Sequence, residues 1–254
     1  MNHHDAGRVE AGALHGRAIL VTGASGGLGR TIALGAARHG ATVVLHGRDE
    51  KRLIAVYDEI VALGAPEPAA IPLDFSGATS RHFHALAADV SNHVGRLDGL
   101  VHCAARSDRL APMAASAAED WAALFQVNVT AALGLTRACL PMLRAAPDAS
   151  VVFTLESHHD AATPFWGPYS VPGAALATAM RIHAAEGTTF PHLRFNAVVP
   201  GPIAAPTRRI THPAETKAAL PAPDSVVPVY LWLLSEAAKG TTGEIVGPTQ
   251  ENAG

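Results

Sequence analysis

Short runs of β-branched and apolar residues alternate along the chain with longer segments rich in Ala and Leu. The short runs predict strands at 17–22, 41–46, 69–73, 97–102, 149–154 and 193–199, with a last one near 243–246. The longer segments predict helices near 27–39, 49–63, 79–94, 117–146, 171–186 and 225–237. Because a helix between two strands returns the chain to a parallel strand, this pattern predicts a doubly wound α/β fold with helices on both faces of one sheet.

One segment, 200–224, breaks the regular pattern. It contains six prolines, at 200, 202, 206, 213, 221 and 223, which exclude a continuous helix and a central strand. A long irregular segment after the carboxyl end of a strand is a candidate lid or substrate loop. Since no linker divides the chain, we expect residues 15–254 to form a single domain, preceded by a flexible leader at 1–14.

Composition narrows the class of protein. Of the 254 residues, 48% are hydrophobic and 16% are charged, which excludes a disordered chain. The formal net charge of −3 gives no basic surplus for nucleic acid. Only two cysteines are present, and the first residues contain no apolar signal segment, so we expect a cytoplasmic protein with no membrane partner.

The most specific local motif runs Thr-Gly-Ala-Ser-Gly-Gly-Leu-Gly over residues 22–29, after the first predicted strand and at the start of the first helix. Glycines there allow a tight turn, so that a pyrophosphate can approach the backbone N–H groups at the positive end of the helix. The candidate residues for binding a dinucleotide are Gly23, Ser25, Gly27, Leu28 and Gly29.

The end of the second strand bears on the choice of dinucleotide. An acidic residue at this point would bind a ribose 2′-hydroxyl, but the sequence offers Gly47 and then Arg48. Because a guanidinium forms charge-assisted hydrogen bonds with phosphate, Arg48 favours NADP(H) over NAD(H). The alternative is that Arg48 is an ordinary solvated residue beside Asp49, the helix N-cap.

These elements together resemble the short-chain dehydrogenase/reductase family over about residues 15 to 247. Asp74 resembles the family's adenine-side aspartate, and Asn128 resembles its helix asparagine. The Asn-Ala-Val-Val-Pro-Gly segment at 196–201 resembles the motif beside the nicotinamide, which adds Pro200 and Gly201 to the cofactor candidates, with Ala104 after the fourth strand. The resemblance implies a Rossmann-type sheet of seven strands in the order 3-2-1-4-5-6-7, a small carbonyl or alcohol substrate, and a homodimer or homotetramer.

The chain departs from the family at its active site. Tyr169 resembles the family's tyrosine, but the expected serine thirteen residues earlier is Glu156, and the expected lysine four residues later is Gly173. A phenol has a pKa near ~10, and without an adjacent cation it is a poor proton donor at neutral pH. An ionised Glu156 would repel a developing oxyanion, and a glutamate can donate a proton only when it is protonated. The catalytic candidates are therefore Tyr169, Asn128 and Glu156.

Few residues could replace the missing groups. The neighbouring Ser157 could supply a hydroxyl after a local shift, although adjacent strand residues face opposite sides. Of three lysines in the chain, only Lys217 lies on the candidate lid. Arg106 and Arg109 could approach the rim as a clamp for a substrate anion, or remain solvated loop charges.

Two prolines bracket the tyrosine. Pro168 and Pro172 predict a helix that begins late, with Ser170 as its N-cap, so that Tyr169 would be aimed differently from its family counterparts.

Further expectations concern a cysteine and a short polar segment near the predicted pocket. Cys103 stands where the family has asparagine, and we expect it to be a buried, inert thiol. His158, His159 and Asp160 could supply a metal site, an acid–base pair or a polar wall; their spacing fits no metal motif, and no metal is expected.

Two classes of function remain open on these residues. The first is an NADP(H)-binding oxidoreductase whose activity is impaired or non-standard because of Glu156 and Gly173. The second is an inactive nucleotide-binding pseudoenzyme that acts as a sensor, subunit or scaffold. The glycine loop and Arg48 fit both classes equally.

Overall fold

The computed structural model describes residues 9–160, 162–216 and 220–248. In them, seven strands form one sheet, in which every neighbouring pair is parallel. The strands are β1 (Ala18–Thr22), β2 (Thr42–Gly47), β3 (Ala69–Pro72), β4 (Gly99–His102), β5 (Ala149–Thr154), β6 (Leu193–Val198) and β7 (Ile245–Val246). Their order is β3-β2-β1-β4-β5-β6-β7, which confirms the predicted Rossmann-type fold.

Helices cover both faces of the sheet, and most begin within a few residues of their predicted positions. They are α1 (Gly27–Arg38), α2 (Glu50–Ala62), α3 (Ser80–Val94), α4 (Ala118–Phe125), α5 (Ala131–Ala145), α6 (Gly167–Glu186), α7 (Arg208–Thr211) and α8 (Val227–Leu234). The helix predicted at 117–146 is confirmed as a continuous helical stretch, Ala118–Ala145, in which a π-helical turn over Gln126–Thr130 separates α4 from α5. Such turns insert an extra residue and occur mostly at functional sites.

The start of α6 is a correction to the predicted elements. The sequence predicts a start near 171 with Ser170 as N-cap, but the helix begins at Gly167 and Trp166 precedes it. Pro168 is the second helical residue, where a backbone N–H has no intrahelical acceptor, so the proline costs no hydrogen bond. Pro172 lies inside the helix and is buried.

The sheet divides the hydrophobic core into two layers. In β1, Ile19 and Val21 pack with residues of α1, α2 and α8, while Leu20 between them packs with residues of α3, α5 and α6. Successive strand residues point to opposite faces, so a sheet covered on both faces requires continuous apolar strands. This is why the strands are visible in the sequence as uninterrupted hydrophobic runs.

Part of the predicted leader packs against the domain. Leu14 is fully buried, and its N–H donates to the carbonyl of His39 at 3.0 Å. Val9 also packs against the core. Residues 1–8 lie outside the described part of the chain, so the prediction of flexibility stands untested there.

The continuous helical stretch Ala118–Ala145 is long and apolar enough to cross a membrane by length and composition alone. It is also a core helix of this fold, because Leu135, Cys139 and Leu143 of α5 are buried against the sheet. Core packing therefore explains its apolar character.

A buried ionic network lies at the amino ends of the strands, on the side of the sheet opposite the glycine motif. The carboxylate of Asp148 accepts a hydrogen bond from Arg17 at 2.5 Å and two from Arg194 at 3.4 Å. Arg194 also donates to the carbonyls of Leu233 and Ser235 at 2.9 and 3.1 Å. Burial lowers the pKa of Arg194, and the charge of Asp148 acts against that change. This network ties β5 and β6 to the C-terminal end of α8.

Candidate functional site

A cavity of about 640 Å³ runs along the carboxyl ends of the strands. This is the edge at which doubly wound folds bind their ligands. The cavity begins between the glycine loop and the end of β2, and it extends to the loop after β5 and to α7. Every predicted site residue lines it: Gly23, Ser25, Gly27, Leu28, Gly29, Arg48, Asp74, Ala104, Asn128, Glu156, Tyr169, Pro200 and Gly201.

The glycine loop passes so close to neighbouring backbone that side chains are excluded. A Cβ atom on Gly23, whose φ is +69°, would lie 2.9 Å from the backbone of Ala104. A Cβ atom on Gly29 would lie 2.4 Å from the carbonyl oxygen of Gly23. Thr22 joins this loop to β4, since its Oγ1 accepts hydrogen bonds from the N–H groups of Cys103 and Ala104 at 3.1 Å. The bare backbone at the N-terminus of α1 suits a pyrophosphate.

Two arginines line the other side of this end of the cavity. Arg48 follows β2, and a terminal nitrogen of Arg52 lies 2.6 Å from the position of a Cβ atom on Gly26, so this guanidinium covers the glycine loop. No ion pair engages Arg48 or Arg52 within the described ranges. Sequence reasoning missed Arg52, although its position one helical turn beyond Arg48 was a usable signal.

Asp74 follows β3 at the same end. Its carboxylate accepts a hydrogen bond from the N–H of Ser76 at 2.9 Å. Hydrogen bonds from Ser76 lower the pKa of Asp74, and the charge of Arg48 adds to this effect. Asp74 is therefore anionic and fixed in position on the cavity wall.

Asn128 lies in the π-helical turn and holds the loop that follows β4. Its Oδ1 accepts from the N–H of Arg106 at 2.7 Å, and its Nδ2 donates to the carbonyl of Arg106 at 3.0 Å. Both polar atoms of the amide are thus used on one backbone residue. This arrangement positions the loop along the cavity wall.

Tyr169 is buried on the first turn of α6, and its hydroxyl donates to the carbonyl of Asp108 in the same loop. Burial raises the pKa of Tyr169 to about 12; the charge of Glu156 also raises it, while the bond to Asp108 opposes the rise. The phenol is therefore protonated at neutral pH.

Glu156 lies just after β5 and faces Arg208 of α7. Its side chain is open to the solvent in the cavity, but protein surrounds the cavity on several sides. This partial loss of solvation raises the pKa of Glu156, and the guanidinium of Arg208 opposes the rise. Ser157 lines the cavity as well.

Position 173, where the family resemblance predicts a lysine, has little space for a side chain. A Cβ atom on Gly173 would lie 2.9 Å from the Cβ of His159 and 3.3 Å from its Cα. His159 is fixed in turn, because its Nδ1 contacts the carbonyl of Glu156 at 2.9 Å. Lys217, the lysine considered as a replacement, lies outside the described residues.

The other groups of this loop form a polar and aromatic wall. The ring of His158 stacks on Trp166 with centroids 3.7 Å apart, and its buried Nδ1 has no hydrogen-bond partner in the described parts of the chain. Burial lowers the pKa of His158. Asp160 is exposed, and the described residues contain no group of three or more His, Cys, Asp or Glu side chains arranged to hold a metal ion.

Cys103 lies at the floor of the cavity in a short hydrogen-bonded chain. Its Sγ contacts Oγ1 of Thr154 at 3.1 Å, and this oxygen contacts the hydroxyl of Tyr230 at 3.0 Å. Burial raises the pKa of the Cys103 thiol to about 12, so the thiolate is not populated at neutral pH.

Residues 200–211, the first part of the proline-rich segment, border the cavity and approach the glycine loop. Cδ of Pro206 is 3.2 Å from the position of a Cβ atom on Gly27. Arg208 and Glu215 form a bidentate ion pair within this segment, with two hydrogen bonds from the guanidinium to the carboxylate. Pro200 and Gly201 border the cavity where the segment leaves β6.

Comparisons with known proteins agree with this fold. A family model described as enoyl-(acyl carrier protein) reductase, of the short-chain alcohol dehydrogenase type, matches residues 23–247. The chain is 36% identical over 230 residues to the uncharacterised oxidoreductase YciK of Escherichia coli K12, covering 91% of this chain and 90% of YciK.

Solved structures give the same result. A Pseudomonas syringae protein assigned to the short chain dehydrogenases superposes with a TM-score of 0.92 at 37% identity, covering 95% of this chain and 98% of that one. An Escherichia coli CFT073 short chain dehydrogenase complexed with NADPH superposes with a TM-score of 0.91 at 34% identity, covering 95% of this chain and 100% of that one. The chain belongs to the short-chain dehydrogenase/reductase family.

Proposed function

We propose that this chain is an NADP(H)-dependent oxidoreductase that interconverts a small carbonyl compound and the corresponding alcohol. The observation that carries the proposal is a single cavity. It is lined at one end by the glycine loop and Arg48, which suit phosphate groups, and at the other end by the titratable side chains of Tyr169 and Glu156. The related Escherichia coli structure with NADPH supports the choice of cofactor. NADPH, when bound, supplies the hydride.

The residues around the cavity fit this cofactor. The glycine loop would present backbone N–H groups to a pyrophosphate, and a Cβ atom at Gly23 or Gly29 would collide with the backbone that shapes this loop. Arg48 and Arg52 are placed to hold the 2′-phosphate, which carries the charge that distinguishes NADP(H) from NAD(H). Asp74 would border the adenine. Ala104, Pro200 and Gly201 would border the nicotinamide.

We propose further that activity is impaired or non-standard compared with the family. Glu156 replaces the serine that would bind the substrate oxygen, and Gly173 replaces the lysine that would lower the pKa of the tyrosine. Asn128 would act by positioning the loop at Arg106.

The second candidate function is a nucleotide-binding pseudoenzyme. It is favoured by one observation, namely that the hydroxyl of Tyr169 is already bonded to the carbonyl of Asp108. In this case the cavity would bind NADP(H) as a regulatory ligand, and the protein would act through a partner.

The test has two stages on the purified full chain. Binding of NADPH and of NADH is measured first by the change in nicotinamide fluorescence, and NADPH oxidation is then followed with a panel of ketones and aldehydes. Tighter binding of NADPH with turnover supports the oxidoreductase. Binding without turnover on any member of the panel supports the pseudoenzyme, and no binding of either nucleotide contradicts both.

We propose that the protein assembles as a homodimer or homotetramer, supported by Val171 and Ile182, large hydrophobic residues that α6 exposes to 40% and 51%. We also propose a cytoplasmic location, supported by the low number of cysteines in the sequence, which is two. Sedimentation velocity measures the assembly, and a monomer at micromolar concentration would contradict it.

A further inference from the structure

We propose that Glu156, and not Tyr169, gives the proton to the substrate oxygen. This inference rests on the proposed oxidoreductase function and names the residue that performs its acid–base step. It follows from where the hydroxyl of Tyr169 is bonded, from the lack of a lysine among the described residues of the cavity wall, and from the position of the Glu156 carboxyl.

The hydroxyl of Tyr169 is used to close the cavity wall. It donates its only proton to the carbonyl of Asp108, in the loop that follows β4. The same loop is held by Asn128 at Arg106 and by a hydrogen bond from the N–H of Ala111 to the carbonyl of Phe165 at 3.2 Å. To reach a substrate oxygen, Tyr169 would have to break its bond to a loop that is fixed at both ends.

The electrostatic support that a tyrosine needs is also missing. No lysine is among the described residues that line the cavity. The nearby guanidinium groups belong to other carboxylates: Arg208 pairs with Glu215, and Arg106 lies 3.6 Å from Asp108. His159 fills the place beside Gly173 from which a lysine would extend. Deprotonation of Tyr169, whose pKa is about 12, is therefore unfavourable.

Glu156 has the properties that Tyr169 lacks. Its carboxyl group lines the cavity and has no ion-pair partner among the residues that the structure describes. Partial desolvation raises its pKa, so the neutral acid that can donate is present at higher pH than for an ordinary glutamate. Because its side chain is open to solvent, the carboxylate left after donation can recover a proton from water.

The titratable and charged groups around Glu156 come from several elements. Arg208 of α7 lowers the pKa of Glu156. The charge of Glu156 raises the pKa of Tyr169 in α6 and of Tyr230 in α8, and both phenols are neutral at ordinary pH. His158, on the same loop, has a lowered pKa and is neutral as well. Arg208 is thus the permanent charge that opposes protonation of Glu156.

The step balances without any further reactant. As the carbonyl carbon accepts a hydride from NADPH and the carbon–oxygen π bond breaks, the oxygen takes the proton of the Glu156 carboxyl and a new O–H bond forms. The products are the alcohol, NADP⁺ and the Glu156 carboxylate, which takes up one proton from solvent. In the direction of oxidation, the Glu156 carboxylate accepts the alcohol proton.

The test compares three variants of the full chain under saturating NADPH, using a ketone that the wild type reduces. Glu156→Gln keeps the size of the side chain but removes the acid, so we expect kcat to fall by about 10²- to 10⁴-fold, the usual contribution of a general acid. Glu156→Asp should recover part of this loss. Tyr169→Phe releases the loop that its hydroxyl holds at Asp108, so its kcat should also fall, but less than that of Glu156→Gln, and its kcat should keep the same dependence on pH as the wild type.

The pH profile supplies a second readout. For the wild type, kcat should decrease as the pH rises through the pKa of Glu156, because the neutral acid is lost; Glu156→Gln should lack this descending limb. A difference infrared titration of wild type against Glu156→Gln, with NADP⁺ bound and no turnover, measures the protonated carboxyl directly. It should show a Glu156 pKa above that of an ordinary glutamate.

The possible failures are distinguishable. If Tyr169→Phe abolishes turnover while Glu156→Gln does not, or if the infrared titration shows an ordinary or lowered pKa, the role of Glu156 is overturned and the oxidoreductase stands. If the wild type binds NADPH but reduces no carbonyl, the proposed function fails and this inference fails with it. Should Tyr169→Phe not fold, the Glu156 variants and the infrared titration still decide the outcome.

Discussion

The Cβ atom of His159 lies 2.9 Å from the position that a Cβ atom on Gly173 would occupy. Two such atoms do not approach this closely in a relaxed protein interior, so the glycine and the course of the loop after β5 depend on each other. The same loop places Glu156 in the cavity, since the carbonyl of Glu156 contacts Nδ1 of His159. The glycine at 173 and the carboxyl group of Glu156 in the cavity are therefore parts of one local arrangement.

Restoring a lysine at Gly173 should destabilise the protein. Gly173→Lys forces its Cβ against His159, and such overpacking costs about 1 to 3 kcal/mol in the free energy of unfolding. Ala174→Lys, at an exposed position of the same helix, should change that free energy by less than about 0.5 kcal/mol. Urea denaturation measures both.

Removing His159 should relieve the clash. We expect the double variant with His159→Gly to recover most of the stability that Gly173→Lys loses, because the volume beside the helix is then free. Equal stability of Gly173→Lys and the wild type would show that the loop moves aside at no cost.

Arg52 should contribute to the choice of nicotinamide cofactor. Arg52→Gln removes one charge beside the expected 2′-phosphate, and a hydrogen bond to a charged group is worth about 1.5 to 3 kcal/mol, or about 10- to 150-fold in Kd. We therefore expect weaker NADPH binding and unchanged NADH binding, as for Arg48→Gln.

Lys51→Gln provides the matched control for Arg52, because it removes one positive charge from the same helix at a residue that does not line the cavity. Fluorescence titration with both nucleotides distinguishes a local contact from general electrostatic attraction. Equal losses for NADPH and NADH, or an equal effect of Lys51→Gln, would argue against the assigned role of Arg52.

His46 should make the protein less stable in mild acid. Burial lowers the pKa of His46 from 6.5 to about 4, and the backbone of Leu73 only partly opposes this change. Because the unfolded chain binds a proton below about pH 6.5 and the folded chain does not, stability should fall as the pH decreases from 6.5 towards 4.

His46→Phe should reduce this dependence, since a phenyl ring can stack on Phe75 as the imidazole does and cannot bind a proton. The measurement is the urea midpoint at pH 7 and at pH 5, with the exposed His84→Gln as control. If His46→Phe loses as much stability between these pH values as the wild type, His46 is not a source of the effect.

Asp148 should contribute strongly to the free energy of unfolding, because it pairs with two buried arginines at the amino ends of the strands. Asp148→Asn leaves the buried guanidinium groups of Arg17 and Arg194 without their carboxylate, and breaking a buried ion pair in this way costs about 3 to 5 kcal/mol. Glu236→Gln, which removes an exposed carboxylate 3.9 Å from Arg17, should cost less than about 1 kcal/mol. Thermal unfolding of the two variants compares these effects, and similar values would contradict the assigned importance of burial.

Local sequence was informative where a residue's role depends on its immediate neighbours. The glycines of the 22–29 motif are required by close backbone contacts, and they were found because glycine spacing records such contacts directly. Arg48 and Asp74 were found because the strand ends are visible as the limits of apolar runs. The late start of α6 was wrong because Pro168 was treated as a helix breaker, whereas it occupies a position that needs no N–H donor.

Contacts between distant segments were not accessible in the same way. Arg52 over Gly26, Tyr169 on the carbonyl of Asp108, and Arg17 on Asp148 each join residues that are 26, 61 and 131 positions apart. The direction of a long side chain is decided by the partner that it finds, and its own sequence context does not specify that partner.

By itself, the sequence determined the order of strands and helices, the end of the sheet at which the cavity lies, and the presence of Glu156 and Gly173 where the family resemblance predicts a serine and a lysine. These follow from periodicity, from glycine spacing and from the identity of single residues. Only the tertiary structure decided that His159 fills the space beside Gly173, that Tyr169 is bonded to Asp108, and that the side chain of Glu156 is exposed in the cavity. The physical reason is that proton transfer depends on distances and solvation between loops, which are set when the loops pack together.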